Sequence, residues 1–110
     1  MSRTEAAPPN ALLFAALGDA TRLGFVTRLA DGSERSITQL GEGLTISRQA
    51  VAKHLDVLHG AGLVRRRRRG REVHFALHRD AITQARGWLD EVSAQWDESL
   101  GRLKAFVETD

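Results

Sequence analysis

Between Leu63 and Leu77 the chain reads Leu-Val-Arg-Arg-Arg-Arg-Arg-Gly-Arg-Glu-Val-His-Phe-Ala-Leu, with six arginines inside seven residues. In the second half of this stretch Val73, Phe75 and Leu77 alternate with Glu72, His74 and Ala76. That period of two is the mark of a strand with one face buried. The tip falls near Arg69-Gly70, where glycine can take the positive φ of a tight turn, so the stretch reads as a hairpin. Like charges crowded onto a short hairpin repel one another unless a polyanion meets them.

A chain of 110 residues has room for one domain and one core. Its hydrophobic fraction of 42% is ordinary for a folded protein and argues against wholesale disorder. The formal charge is only +2, but it is unevenly spread. Residues 1–79 hold 13 of the 16 cations, whereas residues 80–110 hold three cations against seven acids. A basic middle and an acidic end imply two surfaces with different partners. Cysteine is absent, which excludes disulfides and thiolate ligands and fits a reducing compartment. No apolar run approaches the length of a membrane span, and Met1–Asn10 lacks the apolar stretch of a signal peptide. The expected location is the cytoplasm.

Along the chain, residues 1–9 are polar with two prolines and read as a flexible tail, leaving a domain over 10–108. Asn10 is placed to cap a first helix with Leu12, Leu13, Phe14 and Leu17 on its apolar face. Gly18 ends it, and Asp19 caps a second helix to about Ala30 with Leu23, Val26 and Leu29 at helical spacing. Ser36 opens a short third helix, broken by Gly41-Glu42-Gly43. Ser47 caps the next, which runs to about Gly60 with Val51, Leu55 and Leu58 on one stripe. Arg48, Gln49, Ala52, Lys53 and Asp56 lie opposite that stripe. After the hairpin, Asp80 caps a long last helix to about Val107. The fold class is mainly α with a small β-hairpin wing, a winged helix-turn-helix.

Three segments carry a family resemblance. They are Leu17-Gly18-Asp19-Ala20-Thr21-Arg22-Leu23, Ile46-Ser47-Arg48-Gln49-Ala50-Val51-Ala52-Lys53-His54-Leu55, and Leu58-His59-Gly60-Ala61-Gly62-Leu63-Val64. In this order, and in a chain of this length, the sequence resembles the ArsR/SmtB-type bacterial repressors from about Leu12 to Val107. The resemblance implies a homodimer that binds double-stranded DNA at a promoter or operator and represses transcription. It also implies dimerisation through the first and last helices.

The residues support the DNA reading independently. A recognition helix enters the major groove by its N-terminal end, so polar side chains belong there. Arg48 and Gln49 occupy the first turn, and Lys53 lies one turn beyond Gln49. Arginine pairs bidentately with guanine and glutamine with adenine, which gives this face the chemistry of base readout. Ser47 can cap the helix or bond a phosphate. His54 has two candidate roles, a phosphate contact or packing on the preceding helix; its place beside Val51 and Leu55 favours partial burial. In the wing, Arg65–Arg67 alternate between faces, so some must snorkel or pair with acids. Arg68, Arg69 and Arg71, nearest the tip, are expected to reach a minor groove or its phosphates.

On the last helix Ile82, Ala85, Leu89, Val92, Trp96, Leu100, Leu103 and Val107 step by three or four residues, close to a heptad seam. Trp88 flanks it. With the resemblance, this places Leu13, Phe14, Leu89, Val92, Trp96, Leu100 and Leu103 in or near a dimer interface.

Metal sensing, common in the family, is not expected here, and neither is a cofactor. One family pattern places Cys-x-Cys near Ile37–Glu42, where this chain has no thiol; another needs histidines after Asp80, and none follows. His54, His59, His74 and His78 all lie in the DNA-binding half, and His74 and His78 straddle a strand end rather than share a helix face. An enzyme is not expected either: no glycine-rich phosphate loop or supported serine–histidine–acid order is present. The alternative to a DNA-binding regulator is a winged-helix module that grips an acidic protein. The polar first turn Ser47-Arg48-Gln49 counts against it, since protein-binding faces more often carry aromatic anchors.

Overall fold

The computed structural model describes residues 10–108. The tail expected over 1–9 lies outside the described residues. In chain order the elements are α1 (Ala11–Leu17), α2 (Ala20–Leu29), β1 (Arg35–Ser36), α3 (Ile37–Gly41), α4 (Arg48–Gly60), β2 (Val64–Arg69), β3 (Glu72–Leu77) and α5 (Arg79–Glu108).

Caps set most helix starts. Asp19 accepts from the Arg22 backbone N–H at 3.0 Å, which starts α2. Ser36 and Gln39 form a reciprocal capping box on α3, each side chain accepting from the other's backbone N–H. Ser47 accepts from the Ala50 N–H at 3.1 Å and starts α4. Two expectations need correction. Asn10 precedes α1 but adopts a left-handed backbone and makes no side-chain cap bond. Asp80 lies inside the first turn of α5, because the helix already begins at Arg79. There its carboxylate still favours the positive end of the helix dipole.

Helix α4 ends in a Schellman motif. Leu63 N–H bonds the Leu58 carbonyl at 2.9 Å and Gly62 N–H bonds that of His59 at 3.0 Å. Gly62 supplies the left-handed residue this requires, with φ 78°. The two leucines this closure brings together, Leu58 and Leu63, are both fully buried. The chain therefore leaves α4 in one direction and enters β2 directly.

Strands β2 and β3 pair antiparallel, Val64 opposite Leu77 through Arg69 opposite Glu72. A two-residue turn, Gly70-Arg71, joins them, with Gly70 at φ 63° in the first position as a type II′ hairpin demands. The sequence pointed to two strands, but the sheet has three, in the order β1-β3-β2. Arg35 pairs with Phe75 and Ser36 with His74, so the loop after α2 becomes an edge strand of the wing. Two residues are too few for alternation to reveal a strand.

One core joins these parts. Phe25, Leu29, Leu40, Val51, Leu55, Leu58 and Leu63 are its largest fully buried side chains, drawn from α2, α3, α4 and the α4–β2 junction. Val64 and Phe75 bring the base of the wing into the same cluster, and Ala81 and Ala85 bring in the start of α5. Leu12 and Leu23, expected on apolar helix faces, are 66% and 50% exposed. In α2 Phe25 takes the inward place beside Val26 and Leu29. Beyond Ala85 no residue of α5 is buried, so most of a helix about 45 Å long leaves the domain.

Removing the Leu55 side chain should leave a cavity at the centre of this cluster. Leu55→Ala is expected to lose about 2–5 kcal/mol of unfolding free energy in a denaturant titration. A second prediction concerns the turn before β1. There the Asp31 carboxylate accepts from the Ser33 hydroxyl at 2.7 Å and the Ser33 backbone N–H at 2.9 Å, and pairs with Arg35 at 3.1 Å. These bonds, the Ser33 hydroxyl foremost, hold its pKa down to about 2. A folded-state pKa below the unfolded one adds stability above the ordinary carboxylate range, which is lost as pH falls toward about 2. The Asp31 side-chain carboxyl resonance should titrate near pH 2, and Asp31→Asn should flatten the fall of Tm between about pH 4 and pH 2.

Candidate nucleic-acid interface

Burial of Val51, Leu55 and Leu58 turns the other side of α4 outward. Arg48, Gln49 and Lys53 are exposed there, at the N-terminal end, and Gln49 and Lys53 have no side-chain partner among the described residues. Arg48 donates to the Thr38 hydroxyl at 2.6 Å, which ties the first turn of α4 to α3 across the helix-turn-helix. The Ser47 hydroxyl is already engaged as the cap of α4.

The wing meets this face from the side. Arg71, in the hairpin turn, lines one cleft with Arg48, Ser36, Ile37, Glu72 and Val73. Two guanidiniums from different elements thus converge on a single groove. A positively charged cleft of this kind concentrates polyanions at its mouth.

Strand alternation divides the wing arginines. Arg66 and Arg68 share the face of Val64, opposite Phe75 and Val73. Arg65, Arg67 and Arg69 take the other face, opposite Ala76, His74 and Glu72. Arg66 reaches Asp56 on α4 at 3.2 Å, a bond that braces the wing against the recognition helix. Arg67 and Arg69 both reach Glu34, at 3.1 Å and 3.5 Å. Arg69, expected to reach a minor groove or its phosphates, thus lies against a carboxylate from the loop before β1. Arg65, Arg68 and Arg71 have no acidic partner among the described residues.

His54 lies on the flank of α4 that faces α2. Its Nδ1 is 3.2 Å from the Arg22 guanidinium and 3.8 Å from the Asp19 carboxylate, and its ring stands edge-on to Phe25. Arg22 also donates from Nε to the Ala16 carbonyl at 2.7 Å. One arginine thus links the end of α1, the start of α2 and the middle of α4. The bond from the Arg22 N–H lowers the Asp19 pKa and keeps that carboxylate charged within the cluster. Sequence reading missed Arg22 and Glu34 as working residues, because each acts on a segment more than thirty positions away.

On α5 the apolar stripe continues outward without cover. Leu89, Val92, Trp96, Leu100 and Leu103 are exposed, Trp96 to 63%, and Phe106 and Val107 extend the stripe. Phe14 packs on Trp88 with ring centroids 5.1 Å apart, which ties α1 to the base of α5. Leu13 is only 5% exposed and belongs to the core of the domain.

Among the described residues no three His, Cys, Asp or Glu side chains gather as a metal site requires, and the chain has no cysteine. No helix among the described residues is long and apolar enough to cross a membrane.

Comparison with known proteins agrees with this geometry. A helix-turn-helix domain model matches residues 17–67, from the last residue of α1 through the first four residues of β2. The arsenical resistance operon repressor of Escherichia coli (strain K12) is 34% identical over 95 residues, covering 86% of this chain and 79% of that protein. The uncharacterized HTH-type transcriptional regulator YuzN of Bacillus subtilis (strain 168) is 34% identical over 85 residues, 71% of this chain and 92% of that protein. A solved structure, an ArsR-like transcriptional regulator from Rhodococcus sp. RHA1, superposes with a TM-score of 0.76 at 36% identity, covering 91% of this chain and 93% of that one. With its recognition helix, its basic wing and these relatives, the chain belongs to the ArsR family of winged helix-turn-helix, DNA-binding transcriptional regulators.

Proposed function

We propose that this protein is a homodimeric repressor whose two copies of α4 enter successive major grooves of a pseudo-palindromic operator. The carrying observation is that Arg48, Gln49 and Lys53 stand exposed on a helix whose opposite stripe is buried, beside a wing whose Arg71 shares a cleft with Arg48. In this reading Gln49 and Lys53 read base edges or adjoining phosphates, and Arg48 does so while braced on Thr38. Arg68 and Arg71 contact the minor groove or its phosphates. Ser47 acts mainly through its cap, and His54 through its packing on α2. The acting unit is residues 10–108, with α5 as the dimerisation arm.

Dimerisation is supported by the exposed stripe of Leu89, Val92, Trp96, Leu100 and Leu103, with Phe14 at its base. A row of large apolar side chains this long on one helix exceeds what a monomer usually leaves in water. Two such arms would set the recognition helices about 34–36 Å apart, one turn of DNA. Repression is the role named for the Escherichia coli relative. The arsenical part of that name is not carried over, since a chain without cysteine offers no thiolate to a soft ion.

The test is fluorescence anisotropy against the protein's own upstream promoter and a scrambled duplex, at two salt concentrations. Tight binding that depends on sequence is the expected result; equal weak binding to both duplexes would overturn operator recognition at that promoter. Gln49→Ala should relax preference at one base position, at a cost of about 1–3 kcal/mol on the cognate site. Replacing Arg68 and Arg71 with Ala should weaken all sequences alike and shrink the salt slope by up to about 3.6 for the bound dimer, two contacts from each protomer. Trp96→Glu should give monomers in sedimentation velocity and poor operator affinity; a surviving dimer would displace the interface from α5.

A further inference from the structure

We propose that Glu34 is a positioning residue for DNA binding: it holds Arg67 and Arg69 away from phosphate and so limits how many wing charges grip the backbone. The inference rests on the DNA-binding reading of the wing and concerns a residue outside both the helix-turn-helix and the hairpin. One Glu34 carboxylate serves two guanidiniums, with Oε2 at 3.1 Å from Arg67 and Oε1 at 3.5 Å from Arg69. A second contact, from Arg67 Nε to Oε1, measures 3.4 Å. Glu34 and Arg67 border one depression floored by His74 and Ala76 on the outer face of the sheet.

The carboxylate is held in place from both sides. Before it, the Asp31 turn is locked by bonds from the Ser33 N–H and hydroxyl and from Arg35. After it, Arg35 is fixed in β1 opposite Phe75. Glu34 is therefore presented to the arginines at a small cost in its own freedom, which strengthens a pair that would otherwise be weak at a surface. Its side chain is 28% exposed, less than half the exposure of Arg67.

The consequence is electrostatic. Nonspecific affinity comes almost wholly from phosphate neutralisation, and each phosphate contact adds about 0.9 to the salt slope. Arginines bound to Glu34 add nothing to that count. Arg68 and Arg71 grip phosphate, while Arg67 and Arg69 stay bound within the protein.

The experiment measures salt slopes on the scrambled duplex for the full chain and four variants, each checked for folding by circular dichroism. Glu34→Gln should steepen the slope by up to about 3.6 for the bound dimer, two arginines from each protomer, so that between about 50 and 200 mM salt it loses up to about 150-fold more affinity than the wild type. Glu91→Gln removes the same charge from an exposed residue of α5 with no basic partner among the described residues, and should leave the slope unchanged. Replacing Arg67 and Arg69 with Ala should also leave the wild-type slope unchanged. In that background, adding Glu34→Gln should change it no further. Wild-type and Glu34→Gln slopes that run parallel would overturn the proposal alone, as would a double arginine variant with a flatter slope, a measurement that stands even where Glu34→Gln fails to fold. A wild type that binds no duplex at low salt would overturn the DNA-binding reading, and this proposal with it.

Discussion

Helix α4 has to be buried and displayed at once, and the rest of the structure follows from that demand. Its inner stripe of Val51, Leu55 and Leu58 is sealed against α2 and α3. Burial of that order contributes roughly 1.5–3 kcal/mol per side chain and leaves the helix one orientation about its axis. Arg48, Gln49 and Lys53 then face outward by geometry alone, since residues on the far side of a helix cannot turn inward without exposing the stripe. The Arg22 cluster adds direction to this packing: one guanidinium bonds the Ala16 carbonyl and the His54 ring, so the recognition helix is referenced to α1 and α2 by polar contacts as well as apolar ones.

The wing solves a different problem, that of keeping six arginines together on a small hairpin. Alternation along β2 sends neighbours to opposite faces, which separates adjacent charges. Asp56 and Glu34 then neutralise part of what remains, each from a different element. The two acids have different mechanical effects. Asp56 draws the wing toward the recognition helix, whereas Glu34 ties it to the loop before β1. Both pairs lie at the surface, where such bonds contribute at most about 1 kcal/mol, so their effect is on position and charge more than on stability.

Much of this was legible in the sequence, and particular residues show why. Asp19, Ser36 and Ser47 announce their helices because a cap is a contact within three residues. Gly62 and Gly70 mark their turns because their backbone angles are ones other residues rarely take. Helix α5 was readable as long and amphipathic from its spacing. The edge strand β1 was not readable, because its two residues owe their conformation to Phe75 and His74 across the sheet. Leu12 and Leu23 were misjudged for the same kind of reason. Both are apolar residues on amphipathic helices, and only the placement of neighbouring helices determines that Leu13 is buried in the core while Leu12 and Leu23 stay in water.

The sequence by itself determined the element order, the polar first turn of α4, the basic hairpin and the apolar stripe of α5, since each is written in residues that are close neighbours along the chain. Tertiary structure alone decided which arginines are free. Arg68 and Arg69 are adjacent and chemically identical, yet one has no acidic partner among the described residues and the other is bound to Glu34, thirty-five positions away. The reason is physical: charge pairing depends on distance in space, and that distance is set by the β1-β3-β2 sheet and the locked Asp31 turn, which bring a remote carboxylate to the face that carries Arg69 while Arg68 lies on the opposite face.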